Sequence, residues 1–240
     1  MKNIPIILTL LVTISSCTHR PRNGYELIEQ MYKANKSNWY ETLCFSQEVL
    51  HYRNDSVIAT EVWHEAYQSP GNLIIKFNDW NNGTGMLFAN DTIYSYRKGT
   101  LESVRYRIHD LVVLGLDINN IPPGITAERA LKCGYDLDLI QDGTCMGHET
   151  WIVGDTTGTC FWVDRESLLF LKMRRRTGEN SREVEFARYE SINGFPVATE
   201  IRFYDSNDAL DMVEKYFNIT PNCKIPPKTF IPSSFNNARW

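Results

Sequence analysis

Three cysteines and a histidine, Cys133, Cys145, Cys160 and His148, are the nearest this sequence comes to a reactive or metal-binding cluster. The Cys145-x-x-His148 spacing suits two zinc ligands, but the fold would have to deliver the other two. The plainer reading is oxidised or buried structural cysteines. His109-Asp110 and His148-Glu149 are adjacent pairs, and neighbouring side chains on a strand point to opposite faces. Asp164-Arg165-Glu166 reads as a turn between strands, not a catalytic acidic pair. There is no Gly-x-Ser-x-Gly elbow, glycine-rich phosphate loop or His-Glu-x-x-His helix. On these grounds the expectation is a protein that is not an enzyme and holds neither metal nor cofactor.

Cys17 carries a more specific signal. Lys2 supplies a positive start, and Ile4 to Ile14 is an apolar run broken by Pro5, Thr9 and Thr13. That run is shorter than the roughly 20 residues a helix needs to span a bilayer, and it fits the core of an export signal. Ile14-Ser15-Ser16-Cys17 then resembles the bacterial lipobox, which implies cleavage after residue 16 and acylation of Cys17. Two or more acyl chains anchor a protein stably where one does not. The expected organisation is a signal peptide over 1–16, a lipidated N-terminus and linker over 17–23, and a single body over 24–240. Thr18 is not the aspartate that resembles an inner-membrane retention signal, which favours the periplasmic face of the outer membrane.

The formal net charge of the 240-residue chain is -4, with acidic and basic residues interspersed. Nucleic acid is therefore not an expected partner, since that needs a basic face. The one dense basic run, Lys172, Arg174, Arg175 and Arg176, reads as a solvated strand end, with a lipid-headgroup contact as the alternative. Beyond Cys17 stand Cys44, Cys133, Cys145, Cys160 and Cys223. An odd set leaves a thiol unpaired within a monomer, and an oxidising compartment permits disulfides among the rest. The pairing stays open. Cys145 and Cys160 flank a turn but fall out of register, and Cys133 with Cys145 is equally plausible.

These residues must be positioned by a mostly β chain. Leu27, Ile28, Met31 and Tyr32 repeat at helical spacing, and after Asn38 the period changes to two. Strands are expected near 43–50, 57–67, 73–77, 86–88 and 92–96, with turns at Asn54-Asp55, Ser69-Pro70-Gly71, Asn81-Asn82-Gly83 and Asn90-Asp91. Leu111 to Leu116 is a continuous apolar run, and Thr126 to Leu131 is a helix candidate with Thr126 as its N-cap. Strands are expected again at 135–140, 150–153, 159–163, 168–174, 182–189, 197–204 and 210–217. The proline-limited end, to Trp240, is expected to lie along the body. Short consecutive strands make an antiparallel meander. If that sheet curves without closing, its apolar concave face needs a cover, and the central segments are available.

Several stretches resemble the lipoprotein-sorting carrier and receptor superfamily. They are Ser69-Pro70-Gly71 running to Phe77, Asn90 to Tyr96, Phe161 to Glu166 running into Leu169 to Met173, and Gly194-Phe195-Pro196-Val197. Their order matches over about Tyr25 to Phe217. The resemblance implies a mainly β (α+β) fold, an incomplete antiparallel barrel of about eleven strands with a short helical lid. It also implies an apolar cavity that takes the acyl chains of lipids or lipoproteins, and no enzymatic activity. The lipobox sets this chain apart from the soluble carriers and points to the membrane-anchored branch. Candidate cavity and lid residues are Leu111, Val113, Leu114, Leu116, Leu131, Ile201 and Phe203. Arg107 and Arg129 are both candidates for a lid arginine, and Trp80, Leu87 and Phe88 for a membrane-contact loop.

Overall fold

A computed structural model describes residues 19–178 and 180–240, so Cys17 and the export signal lie outside the described residues. Helix α1 (Gly24–Asn35) opens with Asn23 as N-cap, its side chain accepting from the Glu26 amide at 3.0 Å. Leu27, Ile28 and Met31 share one face and are fully buried. Gly24 sits against Val153 and Leu137, where a Cβ would meet a Val153 methyl at 2.6 Å. The helix therefore docks on the half of the sheet that comes later in the chain.

The strands are β1 (Thr42–Arg53), β2 (Ser56–Gln68), β3 (Asn72–Phe77), β4 (Gly85–Ala89), β5 (Thr92–Arg97), β6 (Thr100–Tyr106), β7 (Ile140–Cys145), β8 (His148–Gly154), β9 (Cys160–Asp164), β10 (Phe170–Thr177), β11 (Asn180–Ile192), β12 (Phe195–Tyr204) and β13 (Leu210–Pro221). They form one antiparallel 13-stranded sheet, ordered β6-β5-β4-β3-β2-β1-β13-β12-β11-β10-β9-β8-β7. The chain starts in the middle, meanders to one edge, crosses to the other and meanders back until β13 pairs with β1. The edge strands β6 and β7 do not pair with each other, so the barrel is incomplete. Hairpin chemistry supports this order. Both central residues at Asn54-Asp55 and at Asn90-Asp91 have positive φ, as a two-residue type I′ turn requires.

The crossing from β6 to β7 is helical. Helix α2 (Asp110–Val112) continues into a π-helical turn (Val113–Asp117), and α3 (Pro123–Lys132) follows. Pro123 occupies the first turn, where its missing N–H costs nothing. Thr126, expected as the N-cap, instead lies inside this helix and is fully buried.

Two further expectations are corrected, and the disulfide pairing left open is settled. Strand β6 has no counterpart among the expected strands. The strand expected at 135–140 begins only at Ile140, and Tyr135 and Leu137 are buried from an irregular segment. The disulfide joins Cys44 to Cys223, with Cα atoms 5.9 Å apart, while Cys133, Cys145 and Cys160 are free and buried. The sheet brings Cys44 and Cys223 together because Leu43 pairs with Pro221 in the β1–β13 register.

The convex face carries the C-terminal stretch. Phe235 is fully buried against Ala66, Ile74, Leu87 and Ala89 and stacks on Tyr96, with ring centroids 3.9 Å apart. Lys76, also fully buried, donates to the Phe235 carbonyl, and burial lowers its ammonium to about 8. On the other half of this face Lys172 pairs with Glu183 and Glu185, and Arg174 with Glu183. Lys172 and Arg174 of the basic run are thus paired on the sheet, while Arg176 at the strand end is exposed.

Candidate functional site

The crossing segment covers the concave face and leaves a large space beneath it. Gly115, in the π-helical turn, allows the approach: a Cβ there would lie 2.6 Å from the Phe186 ring. Substituting Gly115→Ala is expected to destabilise the fold by about 1–3 kcal/mol through overpacking, measured as a lower urea midpoint. A change within a few tenths would mean that the lid already stands off Phe186.

Polar contacts hold the lid at both ends. The Tyr67 hydroxyl donates to Asp117 Oδ1 at 2.6 Å, and the Gly71 amide donates to the same oxygen at 3.2 Å. Burial pushes the Asp117 carboxyl up, while these donors and the charge of Arg129 pull it back. The Trp39 indole donates to the Leu116 carbonyl at 2.8 Å, and Asn120 donates to the Tyr40 carbonyl at 2.9 Å. From α3, Arg129 pairs with Asp91 in the β4–β5 turn. Near the start of α2, Asp110 pairs with Arg175 of β10 at 3.1 Å.

The cavity measures about 1010 Å³. One wall is Phe45, Trp63, Ile75 and Phe88; the other is Met173, Val184, Phe186, Ile201, Phe203 and Met212. Ile108, Leu111, Val112 and Leu116 form the roof. Pockets for drug-sized ligands run to roughly 1,000 Å³, so this space suits a long or branched apolar molecule.

Two polar features interrupt the apolar lining. Glu65 and Glu214 are buried on the concave face beside Tyr216 and the fully buried Gln47. Burial pushes the Glu214 carboxyl up to about 7, and burial with the neighbouring Glu214 charge raises Glu65 well above the usual carboxylate range. Gln47 stands close enough to Glu214 to temper its shift, yet neither amide atom makes a hydrogen bond of good geometry. The second feature is cationic. Arg105, Arg107, Lys132, Arg175 and Arg182 all border the opening.

The expected site residues divide accordingly. Leu111, Leu116, Ile201, Phe203 and Arg107 line the cavity. Val113 and Leu114 are fully buried and belong to the core behind the lid. Leu131 is 46% exposed on the outer side of α3 and does not line the space. Arg129 lies outside it as well, in the ion pair with Asp91. Of the candidates for a membrane-contact loop, Leu87 and Phe88 are buried and Trp80 is half-buried. Leu87 is buried beneath the C-terminal stretch, Phe88 faces the cavity, and Trp80 is held between His64 and Trp240. Alternation on β4 sends Leu87 and Phe88 to opposite faces, so they cannot act as one loop. The sequence reading missed Glu65, Glu214, Arg105, Arg175 and Arg182. The inward spacing Met212, Glu214, Tyr216 was the available signal for one of them.

The remaining sequence candidates have structural roles. Asp164 Oδ1 accepts from the Glu166 and Ser167 amides, which makes 164–167 a capped turn, and His148 Nδ1 lies 2.9 Å from Asp164 Oδ2. Burial pushes the Cys133, Cys145 and Cys160 thiols up to about 11, 11 and 12, which suppresses the reactive thiolate. Among the described residues no group of three His, Cys, Asp or Glu side chains is placed to hold a metal ion.

An open antiparallel half-barrel with a helical cover over an apolar cavity is therefore the class of architecture. Solved structures share it. A DUF1329 family protein from Desulfovibrio piger superposes with TM-score 0.60 at 17% identity, covering 88% of this chain and 97% of that one. An outer membrane lipoprotein-sorting protein domain described from Vibrio parahaemolyticus gives 0.58 at 14%, covering 87% and 97%. A LolA superfamily protein from Nitrosomonas europaea gives 0.57 at 12%, covering 85% and 96%. No family model and no curated protein matches the sequence. The shared property is the LolA-like fold, an incomplete β-barrel with a helical lid.

Proposed function

We propose that this chain is a non-catalytic carrier or receptor of acyl chains in the bacterial cell envelope. The cavity of about 1010 Å³ between the concave sheet and the lid carries the reading. Burying an alkyl chain there gains roughly 25 cal/mol per Å² removed from water, less the cost of ordering the chain. Fold neighbours described as lipoprotein-sorting or LolA superfamily proteins support the same use of the fold. The Cys44–Cys223 disulfide supports an oxidising compartment outside the cytoplasm. No helix of the described residues is long and apolar enough to cross a membrane. The attachment proposed is acylation of Cys17, holding a monomeric body at the outer membrane.

The lid is proposed to open along the Tyr67–Asp117 and Arg129–Asp91 contacts, which join it to β2 and to the β4–β5 turn. Polar latches of this kind can be remade after a chain has entered, whereas the Val113 and Leu114 packing is the part that must yield. A permanently packed plug is the second reading, favoured by the complete burial of those two residues.

Native mass spectrometry of the chain carrying Cys17→Ser, purified from its own host without detergent, tests the proposal. The expected spectrum contains protein with bound lipid, lost on organic extraction and restored by a labelled acyl probe. Protein that is consistently empty and takes up no probe sinks the carrier reading.

A further inference from the structure

The cationic opening of the cavity gathers more guanidiniums than the protein's own acids pair. Arg175 on β10 and Arg182 on β11 are directly opposite in the strand register. Like charges in that relation are destabilising. Arg107 approaches both from the segment before α2, and Arg105 adds a further guanidinium from edge strand β6. Two buried acids stand near this group: Asp110, which pairs with Arg175 at 3.1 Å, and Glu214, whose raised carboxyl the Arg182 charge tempers without forming an ion pair. Arg105, Arg107 and Arg182 make no ion pair with any described side chain. The Arg182 guanidinium is held over the Phe203 ring, 5.1 Å from its centroid, so it is fixed to the cavity wall. Burial, opposed by Asp110 and assisted by the neighbouring Arg182, Arg175 and Arg105 charges, pulls the Arg107 guanidinium below its usual value.

We infer that the cavity's ligand is an amphiphile with an anionic head group, whose phosphate or carboxylate is received by Arg105, Arg107, Arg175 and Arg182 while its chain enters beneath the lid. The inference rests on the acyl-binding reading and narrows it, because the acylated end of a lipoprotein offers no such charge. Guanidinium forks match the two oxygens of a carboxylate or phosphate. Polar groups of a ligand pocket belong near its mouth and set orientation. The apolar walls hold any alkyl chain alike, so the guanidiniums alone can choose between head groups. The collar gathers β6, the α2 approach, β10 and β11, and so joins one open edge of the sheet to the far wall. A bound anion would therefore also tie the start of the lid to β10 and β11.

Three monomeric probes with the same alkyl chain separate the cases: dodecyl phosphate, dodecanoate and dodecanol. Each is titrated against the full chain carrying Cys17→Ser by displacement of a fluorescent acyl reporter. Both anions are expected to bind at least about tenfold more tightly than the alcohol, as one or two charge-assisted hydrogen bonds allow. The ratio of the two anions tells phosphate from carboxylate. In the double variant R107Q/R182Q the anion-to-alcohol ratio is expected to fall to within about threefold of unity, and R107K/R182K, which keeps the charge, should retain most of it. Circular dichroism confirms that each variant is folded. Equal affinity for anions and alcohol, or a preference that R107Q/R182Q leaves intact, overturns the inference and spares the acyl-binding reading. Failure of all three probes overturns both. Capture by anionic vesicles with no preference among the probes also overturns it, by assigning the collar to a bilayer surface.

Discussion

Replacing Ile201 with Trp should abolish acyl-chain binding, by at least about a hundredfold in affinity, while leaving the protein folded. Ile201 is 1% exposed, faces the cavity from β12 and neighbours Phe203 and Phe186. In a filled core an indole in place of a branched aliphatic forces displaced rotamers and backbone shifts, costing about 1–3 kcal/mol or more. Here the adjoining space of about 1010 Å³ can accept the ring. Unfolding in urea and binding of an acyl reporter are measured on the same preparation. The carrier reading requires near-unchanged stability together with lost binding. A large stability loss, with no binding in either protein, would identify the lid as a plug over a filled interior.

How much of this could be read beforehand depended on how each segment meets solvent. Strands with one buried face carry their own label: Leu43, Phe45 and Val49 of β1 alternate with polar residues because one side is core. Strand β6 has no buried face, with six of its seven residues exposed, so no alternation marked it. The opposite error arose at Tyr135 and Leu137, which are buried two residues apart yet lie in an irregular stretch following α3. Apolar spacing reports burial, and burial stands in for a strand only when the backbone is extended. The disulfide was unreadable for another reason. Cys44 and Cys223 are 179 residues apart, and only the closing pair β1–β13 makes them neighbours. Among site residues, those read from apolarity, such as Leu111 and Phe203, do face the cavity. The polar ones were invisible, because Arg175 and Arg182 acquire meaning only when the register sets them opposite each other.

The buried carboxyls should make both stability and lipid affinity fall as pH rises toward neutrality and beyond. Glu214 titrates at about 7 in the folded chain against an ordinary value of 4.5, because burial disfavours its charged form. The folded state therefore holds a proton that the unfolded state has already released. Stability from this source is complete below pH 4.5, declines as pH rises and is fully lost above about 7. The interval corresponds to on the order of 3 kcal/mol. Glu65 from β2, raised by burial and by Glu214, adds to the loss in the same direction. Facing Glu214 are Gln47 from β1, Arg182 from β11 and Tyr216, all of which temper its shift without overturning it. An alkyl chain in the cavity removes water from these carboxyls, so it binds the protonated form better and takes up protons as it enters. Dodecanol is the suitable probe because its own charge does not change. Its affinity should weaken by about tenfold between about pH 6 and about pH 8, and E214Q should flatten that dependence and most of the stability slope. If wild type and E214Q share one pH profile, Glu214 is not the controlling group. If dodecanol instead binds more tightly at the higher pH, the buried-carboxyl account has the wrong sign and fails.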